Sequence, residues 1–211
     1  MRDPDNIDQV ALLQPDYLGL IFFEGSPRFV KDEIRELDYS VKKTGVFVNA
    51  SEDLILEKVR KYDLSAVQLH GEESPEFCRQ LKNTFSEADK DPELIKVFSV
   101  KEEFNFELLK AYEGIVDLFL FDTKGKSKGG NGITFNWEVL KDYPSPTPFF
   151  LSGGIGPEEI PAIKSLYEHF QKKNKQELFF GVDVNSRFET APGLKNAEKL
   201  KTFRKELFAE A

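Results

Sequence analysis

The stretch whose reading decides the fold is residues 116–137, VDLFLFDTKGKSKGGNGITFNW. An apolar run from Leu118 to Phe121 stops on Asp122, a loop rich in Gly and Lys follows, and a helix is expected to open over 134–140. Successive apolar residues of this kind mark a strand covered on both faces, as in a parallel sheet. A carboxylate at the C-terminal tip of such a strand sits where parallel α/β proteins keep their chemistry. Asp122 is therefore the candidate catalytic residue, and the loop after it a candidate lid or substrate rim. Lys124, Lys126 and Lys128 in that loop either attract an anionic ligand or form a solvated surface.

On both sides of this stretch, strands alternate with helices. Strand-length apolar runs are expected at 17–23, 45–49, 66–70, 94–98, 149–151 and 178–182. Helical periodicity is expected in between. Asp3 and Pro4 open the first helix, Ser51 and Ser74 cap two more, and Phe106 to Tyr112 forms another. Pro157 begins a helix carrying Ile160, Ile163, Tyr167 and Phe170, and Ala197, Leu200, Phe203 and Leu207 mark the last. Segments 83–93 and 171–176 read as surface loops. Such alternation means parallel strands joined by right-handed crossovers. About eight helices but about seven strands result, and the first element is a helix. In a (β/α)8 barrel, strand 1 precedes the first helix and pairs with strands 2 and 8. The fold expected is thus α/β, a single (β/α)8 TIM barrel over residues 1–211 with its first strand missing; a doubly wound open sheet is the alternative.

Composition narrows the function. The 211 residues suit one domain, and 40% hydrophobic with 31% charged residues is ordinary for a globular protein. A net charge of −8 argues against a general nucleic-acid surface but not against a small phosphorylated ligand held by backbone N–H groups. One cysteine leaves no disulfide framework and suits the cytoplasm. The start, MRDPDNIDQ, carries no signal-peptide pattern, and no apolar run reaches bilayer length.

Two glycine-bearing strand ends lie late in the chain, Ser152-Gly153-Gly154-Ile155-Gly156 and Gly181-Val182-Asp183-Val184-Asn185-Ser186. After the last two strands of a barrel, such loops commonly make a phosphate site, helped by helix N-termini. Each taken alone is equally a tight strand–helix turn. Arg28, after Ser26-Pro27, either grips a carboxylate bidentately or makes a surface salt bridge. His70, before Gly71, either lines the site or is a structural hydrogen-bonding histidine. Cys78 shares a helix face with Leu81 and Phe85 and is expected to pack, as is Trp137. His169 reads as a surface residue. No metal-binding cluster, P-loop lysine or dinucleotide fingerprint is found.

Jointly, DPDNI, YLGLIFFEGSPRFV, GVFVN, VQLHGEE, FLFDT, GGNGITFNW, LSGGI, GVDVNSRFE and PGLKN resemble the phosphoribosylanthranilate isomerase family, in the family's order. The resemblance implies an Amadori rearrangement of N-(5′-phosphoribosyl)anthranilate in tryptophan biosynthesis, without a cofactor or metal. It implies Asp122 as general acid, Arg28 and His70 as substrate-binding residues, and Gly153, Gly154, Asp183, Asn185 and Ser186 as phosphate-binding residues. The only partner it implies is the small phosphorylated substrate, in a monomer or homodimer, with no nucleic acid or membrane. The family's base is a cysteine in a Lys-(Val/Ile)-Cys-Gly-Met pattern on strand 1, and this sequence opens at what matches that Met. Strand 1 and the base are therefore expected to lie upstream of Met1, or the chain is truncated and inactive. A non-catalytic phosphate-binding barrel and another sugar-phosphate isomerase or epimerase are the alternative functions.

Overall fold

The computed structural model describes residues 1–31, 34, 41–100, 103–123 and 137–209. Seven strands form one parallel sheet in chain order: β1 (Tyr17–Ile21), β2 (Lys42–Phe47), β3 (Ala66–Leu69), β4 (Glu93–Val100), β5 (Leu118–Thr123), β6 (Phe149–Ser152) and β7 (Phe179–Val182). The sheet is open. Among the described residues β1 pairs only with β2 in it, and β7 only with β6. Met1 lies at the free edge of β1, its amino nitrogen donating to the Gly19 carbonyl at 2.5 Å.

The helices follow from their caps. In α1 (Pro4–Ala11), Asp3 accepts from Asn6 N, and Ile7, Val10 and Ala11 turn inward. Ser51 caps α2 (Glu52–Tyr62) and Ser74 caps α3 (Pro75–Glu87), each hydroxyl accepting one of the first unpaired backbone N–H groups. The expected loop at 83–93 is thus helix as far as Glu87, with a shorter connection before β4. The last two long helices are α4 (Ile160–Lys172) and α5 (Ala197–Leu207).

Two expected α-helices are instead 3₁₀ turns, Phe106–Ala111 and Trp137–Asp142. Their apolar residues explain this. Phe106, Leu109 and Tyr112, and likewise Trp137, Leu140 and Tyr143, recur every three residues, which makes a straight stripe at three residues per turn. An antiparallel hairpin that sequence reading did not anticipate, β8 (Glu189–Ala191) with β9 (Leu194–Lys195), follows β7. A polar helix also expected at 31–37, the start of the helix expected at 134–140, and Lys124, Lys126 and Lys128 fall wholly or mainly outside the described residues.

Strand parity divides the core. Phe119 and Phe121, fully buried, face the helices with Leu69, Phe149 and Leu94. Leu118 and Leu120 face the other way, into an inner cluster with Ala66, Ile95, Val97 and Phe150. Asp122 continues the inner row one step beyond Leu120. No helix among the described residues is long and apolar enough to cross a membrane.

Candidate active site

The inner face at the C-terminal ends of β3, β5, β6 and β7 gathers His70, Asp122 and Asp183 of the expected site residues. Asp122 lies in register with Ser99 of β4 and Ser152 of β6. His70 follows β3, and its Nε2 stands 3.4 Å from Asp122 Oδ2. Gln68, two residues earlier on the same face, turns its amide nitrogen to His70 Nδ1 at 3.2 Å. An amide nitrogen only donates, so in this arrangement Nδ1 accepts from Gln68 and Nε2 is the ring nitrogen turned to Asp122. His70 thus stands beside Asp122 on the inner face. Gly71 is required here. A Cβ at that position would come 2.3 Å from Asn49 Oδ1, which is held in place by accepting from Glu72 N at 2.7 Å.

One strand on, Ser152 Oγ donates to Asp183 Oδ2 at 2.7 Å, tying the ends of β6 and β7 together. Gly153 and Gly154 both have positive φ, 92° and 69°. Nothing lies within 4 Å of where a Gly154 Cβ would stand, so its backbone fronts open space. Both strand ends lead into a short 3₁₀ turn rather than straight into an α-helix. Gly156 N already donates to Glu159 Oε2 at 2.7 Å, and a short 3₁₀ turn, Pro157–Glu159, intervenes before α4. Asn185 and Ser186 lead likewise into a single 3₁₀ turn, Ser186–Phe188.

Arg28 sits in a built cluster. Its Nε lies 2.9 Å from both oxygens of Glu189, and its Nη2 also donates to Glu189. Lys195 Nζ reaches the same carboxylate at 2.9 Å and Asn185 Oδ1 at 2.5 Å. Glu189 and Lys195 side chains are only 5% and 9% exposed, which makes this more than a surface salt bridge. Burial pushes the Glu189 carboxyl up, but Arg28, Lys195 and the Gly193 N–H outweigh it and hold the group down at about 2. Burial lowers Lys195 against the pull of Glu189 and Asp183, and the Glu189 hydrogen bond raises Arg28. Glu189 takes the Nε–Nη2 edge of the guanidinium, which turns the Nη1–Nη2 edge toward any further anion. The cluster joins the segment after β1 to the loop after β7.

Cys78 faces Leu81 and Phe85, is fully buried, and burial raises its thiol to about 11. It has no nucleophilic part here. Trp137 is buried, and His169 Nε2 meets the Lys141 carbonyl at 3.0 Å away from the site. Among the described residues no group of three or more His, Cys, Asp or Glu is arranged to hold a metal ion. Sequence reading missed Glu189 and Lys195 as partners of Arg28, since they are 161 and 167 residues away and no local pattern joins them. It also missed Lys96, whose signal was available: a lysine within the apolar run Leu-Ile-Lys-Val-Phe must be paired if that run is a buried strand.

Residues 1–206 match the family model described as N-(5′-phosphoribosyl)anthranilate (PRA) isomerase. The chain is 43% identical to the N-(5′-phosphoribosyl)anthranilate isomerase of Parabacteroides distasonis, over 100% of this chain and 92% of that one. Its fold resembles the crystal structure of phosphoribosyl anthranilate isomerase from Thermotoga maritima, with a TM-score of 0.74 and 29% identity, covering 98% of this chain and 95% of the other. A second solved isomerase is in complex with reduced 1-(o-carboxyphenylamino)-1-deoxyribulose 5-phosphate; the TM-score is 0.73 and the identity 27%, over 98% and 94%.

Proposed function

The chain belongs to the N-(5′-phosphoribosyl)anthranilate isomerase family, and from that premise we propose how its residues carry the Amadori rearrangement of tryptophan biosynthesis. Asp122 is the general acid. It gives its proton to the ribose ring oxygen as the C1′–O bond opens, and the amine lone pair forms the iminium. A base then removes the C2′ proton, and the resulting enolamine tautomerises to the 1-deoxyribulose product. His70, with its Nε2 turned to Asp122, steadies the carboxylate left after proton donation. The Nη1–Nη2 edge of Arg28 receives the anthranilate carboxylate. Gly153, Gly154, Asn185 and Ser186 surround the phosphate, while Asp183 holds Ser152 and so the shape of that loop.

The observation that carries this reading is the His70–Asp122 contact on the inner face, at the C-terminal end of the parallel strands. The base belongs, by the family resemblance, to a cysteine on a strand between β1 and β7, which is where the sheet is open. The phosphorylated product analogue held by a relative supports the ligand class.

The experiment measures turnover and product-analogue binding for the chain alone, for the chain with a Lys-Val-Cys-Gly strand joined ahead of Met1, and for each carrying Asp122→Asn. Turnover is expected to fall about 10²–10⁴-fold with Asp122→Asn while analogue affinity holds. An Asp122→Asn variant keeping more than half the parent rate removes Asp122 from the mechanism. Analogue binding without turnover, even with the added strand, would favour a phosphate-binding barrel.

A further inference from the structure

A buried ion pair that the mechanism above does not use lies behind the site. Lys96 of β4 is 2% exposed and Glu73, between β3 and α3, is 5% exposed. Parity puts Lys96 on the outer face with Leu94, pointing away from the substrate. An ammonium has three donors, and three acceptors meet this one: Glu73 Oε2 at 2.9 Å, Gly71 O at 2.7 Å and Leu69 O at 3.4 Å. Leu69 and Gly71 are the two peptide neighbours of His70. Glu73 acts on the same turn, accepting from Gly71 N at 2.9 Å and from Asn49 N at 2.9 Å. Tyr112 Oη in turn donates to the Glu73 carbonyl at 3.0 Å.

The β3 ladder ends at Leu69, although His70 N still donates to Phe47 O at 2.8 Å. Beyond that point the chain leaves the sheet, and strand pairing no longer fixes it. Lys96 supplies the missing donors from the neighbouring strand. Stability alone does not account for the pair, because apolar residues of similar volume commonly replace buried ion pairs without loss. What apolar residues cannot supply is a set of bonds to the carbonyls on either side of one imidazole.

We propose that Lys96, together with Glu73, is a positioning residue for His70: it grips the backbone on both sides of the histidine and so sets where the imidazole stands against Asp122. The inference rests on the reading of His70 and Asp122 as the proton-handling pair. Lys96 touches no reacting atom. It acts through the turn 69–73, and it pulls from the helix side of the sheet while the ring works on the other.

The chain has two histidines, so the ¹⁵N imidazole spectrum reports His70 with His169 as an internal control. In the unaltered protein the Gln68 and Asp122 contacts are expected to hold the His70 ring in a single hydrogen-bonded arrangement. In Lys96→Met it is expected to become a mixture of arrangements, with His169 unmoved. Turnover, measured in the protein carrying the Lys-Val-Cys-Gly strand ahead of Met1, should fall about 10–100-fold with little change in KM, as for a group displaced by a fraction of an ångström to an ångström. In a His70→Ala background Lys96→Met should remove nothing more, since both losses run through one ring. A folded Lys96→Met protein with an unchanged His70 spectrum overturns the proposal, as do losses that simply add in the double variant. If Lys96→Met alone does not fold, Lys96→Met/Glu73→Gln removes both charges and carries the same readings. If His70→Ala turns over like the parent, it is the role of His70 that fails, and the imidazole spectrum still decides on Lys96.

Discussion

The middle of the sheet and its two edges are built from the same kinds of residue and end in different states. β4 and β5 share six registered pairs, Ile95 to Val100 against Leu118 to Thr123, whereas β6 and β7 share three with a break in register. In the middle both faces are sealed: Phe119 and Phe121 outward, Ile95, Leu118 and Leu120 inward, all 3% exposed or less. At the β7 edge the outward Phe179 is 7% exposed, yet the adjacent inward Phe180 is 47% exposed. The helix layer therefore covers the outer face out to the edges. The inner face has only other strands to cover it, and Phe180 meets Phe150 and Tyr17 on one side and nothing that seals it on the other. Outer-face burial is local, set by each crossover, while inner-face burial depends on closing the ring.

The largest expected effect that probes this contrast is Phe121→Ala. Its ring meets Phe98, Phe104, Tyr143 and Phe149, and truncation should cost about 3–5 kcal/mol, read as a lower urea midpoint at unchanged slope. A loss near ~1 kcal/mol, the ordinary cost of a point substitution, would mean that the middle is no better packed than the rim.

Smaller effects are expected at the proposed ligand contacts. Gly154→Asp puts a carboxylate where the proposed function has backbone meet phosphate, at a φ that Asp tolerates better than most residues. Inorganic phosphate affinity should drop by about 1.5–3 kcal/mol, the worth of charge-assisted bonds, while Arg28→Ala should leave it nearly unchanged. Equal losses in the two titrations would mean that the ends of the site are wrongly assigned.

Acid should loosen the rim before the middle. Glu189 is held at about 2 against an ordinary 4.5, so its stabilisation is complete above pH 4.5 and is lost as pH falls toward 2. Urea midpoints of the parent and of Glu189→Gln should differ at neutral pH and converge over that window. A gap that stays constant to the bottom of the window would show that the Arg28–Glu189–Lys195 cluster is not what links β1 to β7.

The smallest effect belongs to Phe180→Ala, at about 0.5–1.5 kcal/mol for its edge-on contacts with Phe150 and Tyr17. A cost as large as that of Phe121→Ala, growing with protein concentration, would mean that a second copy covers the edge in solution.

What the sequence disclosed follows the same division. Leu-Phe-Leu-Phe-Asp at 118–122 revealed both the buried strand and its terminal acid, because one alternation places two rings outward and the carboxylate inward. Gly154 was legible as a position of special backbone conformation, and it has φ +69° with open space where a Cβ would stand. The short 3₁₀ segments were misread as α-helix because residues spaced by three satisfy half of the helical pattern as well. Arg28 was legible as a cation near the site but not as half of a pair with Glu189, since nothing local encodes a contact across 161 residues. Gln68 and Lys96 were overlooked because each sits in a run whose apolar neighbours set the reading.

The Asn6 carboxamide does for the ends of the chain what a ladder does for the strands. It donates to the Lys195 carbonyl at 2.8 Å and accepts from Lys195 N at 2.7 Å, across 189 residues. Every strand pair in the main sheet joins sequence neighbours, so the sheet can grow one crossover at a time at modest loop-closure entropy. The Asn6 tie must wait until nearly the whole chain is in place. It is expected to form late and to break early, which a φ-value near zero for Asn6→Ala would show. Interactions absent from the transition state set the rate of unfolding and leave the rate of folding alone. One amide side chain thus acts as a latch on the native lifetime, with little say in how quickly the sheet is found.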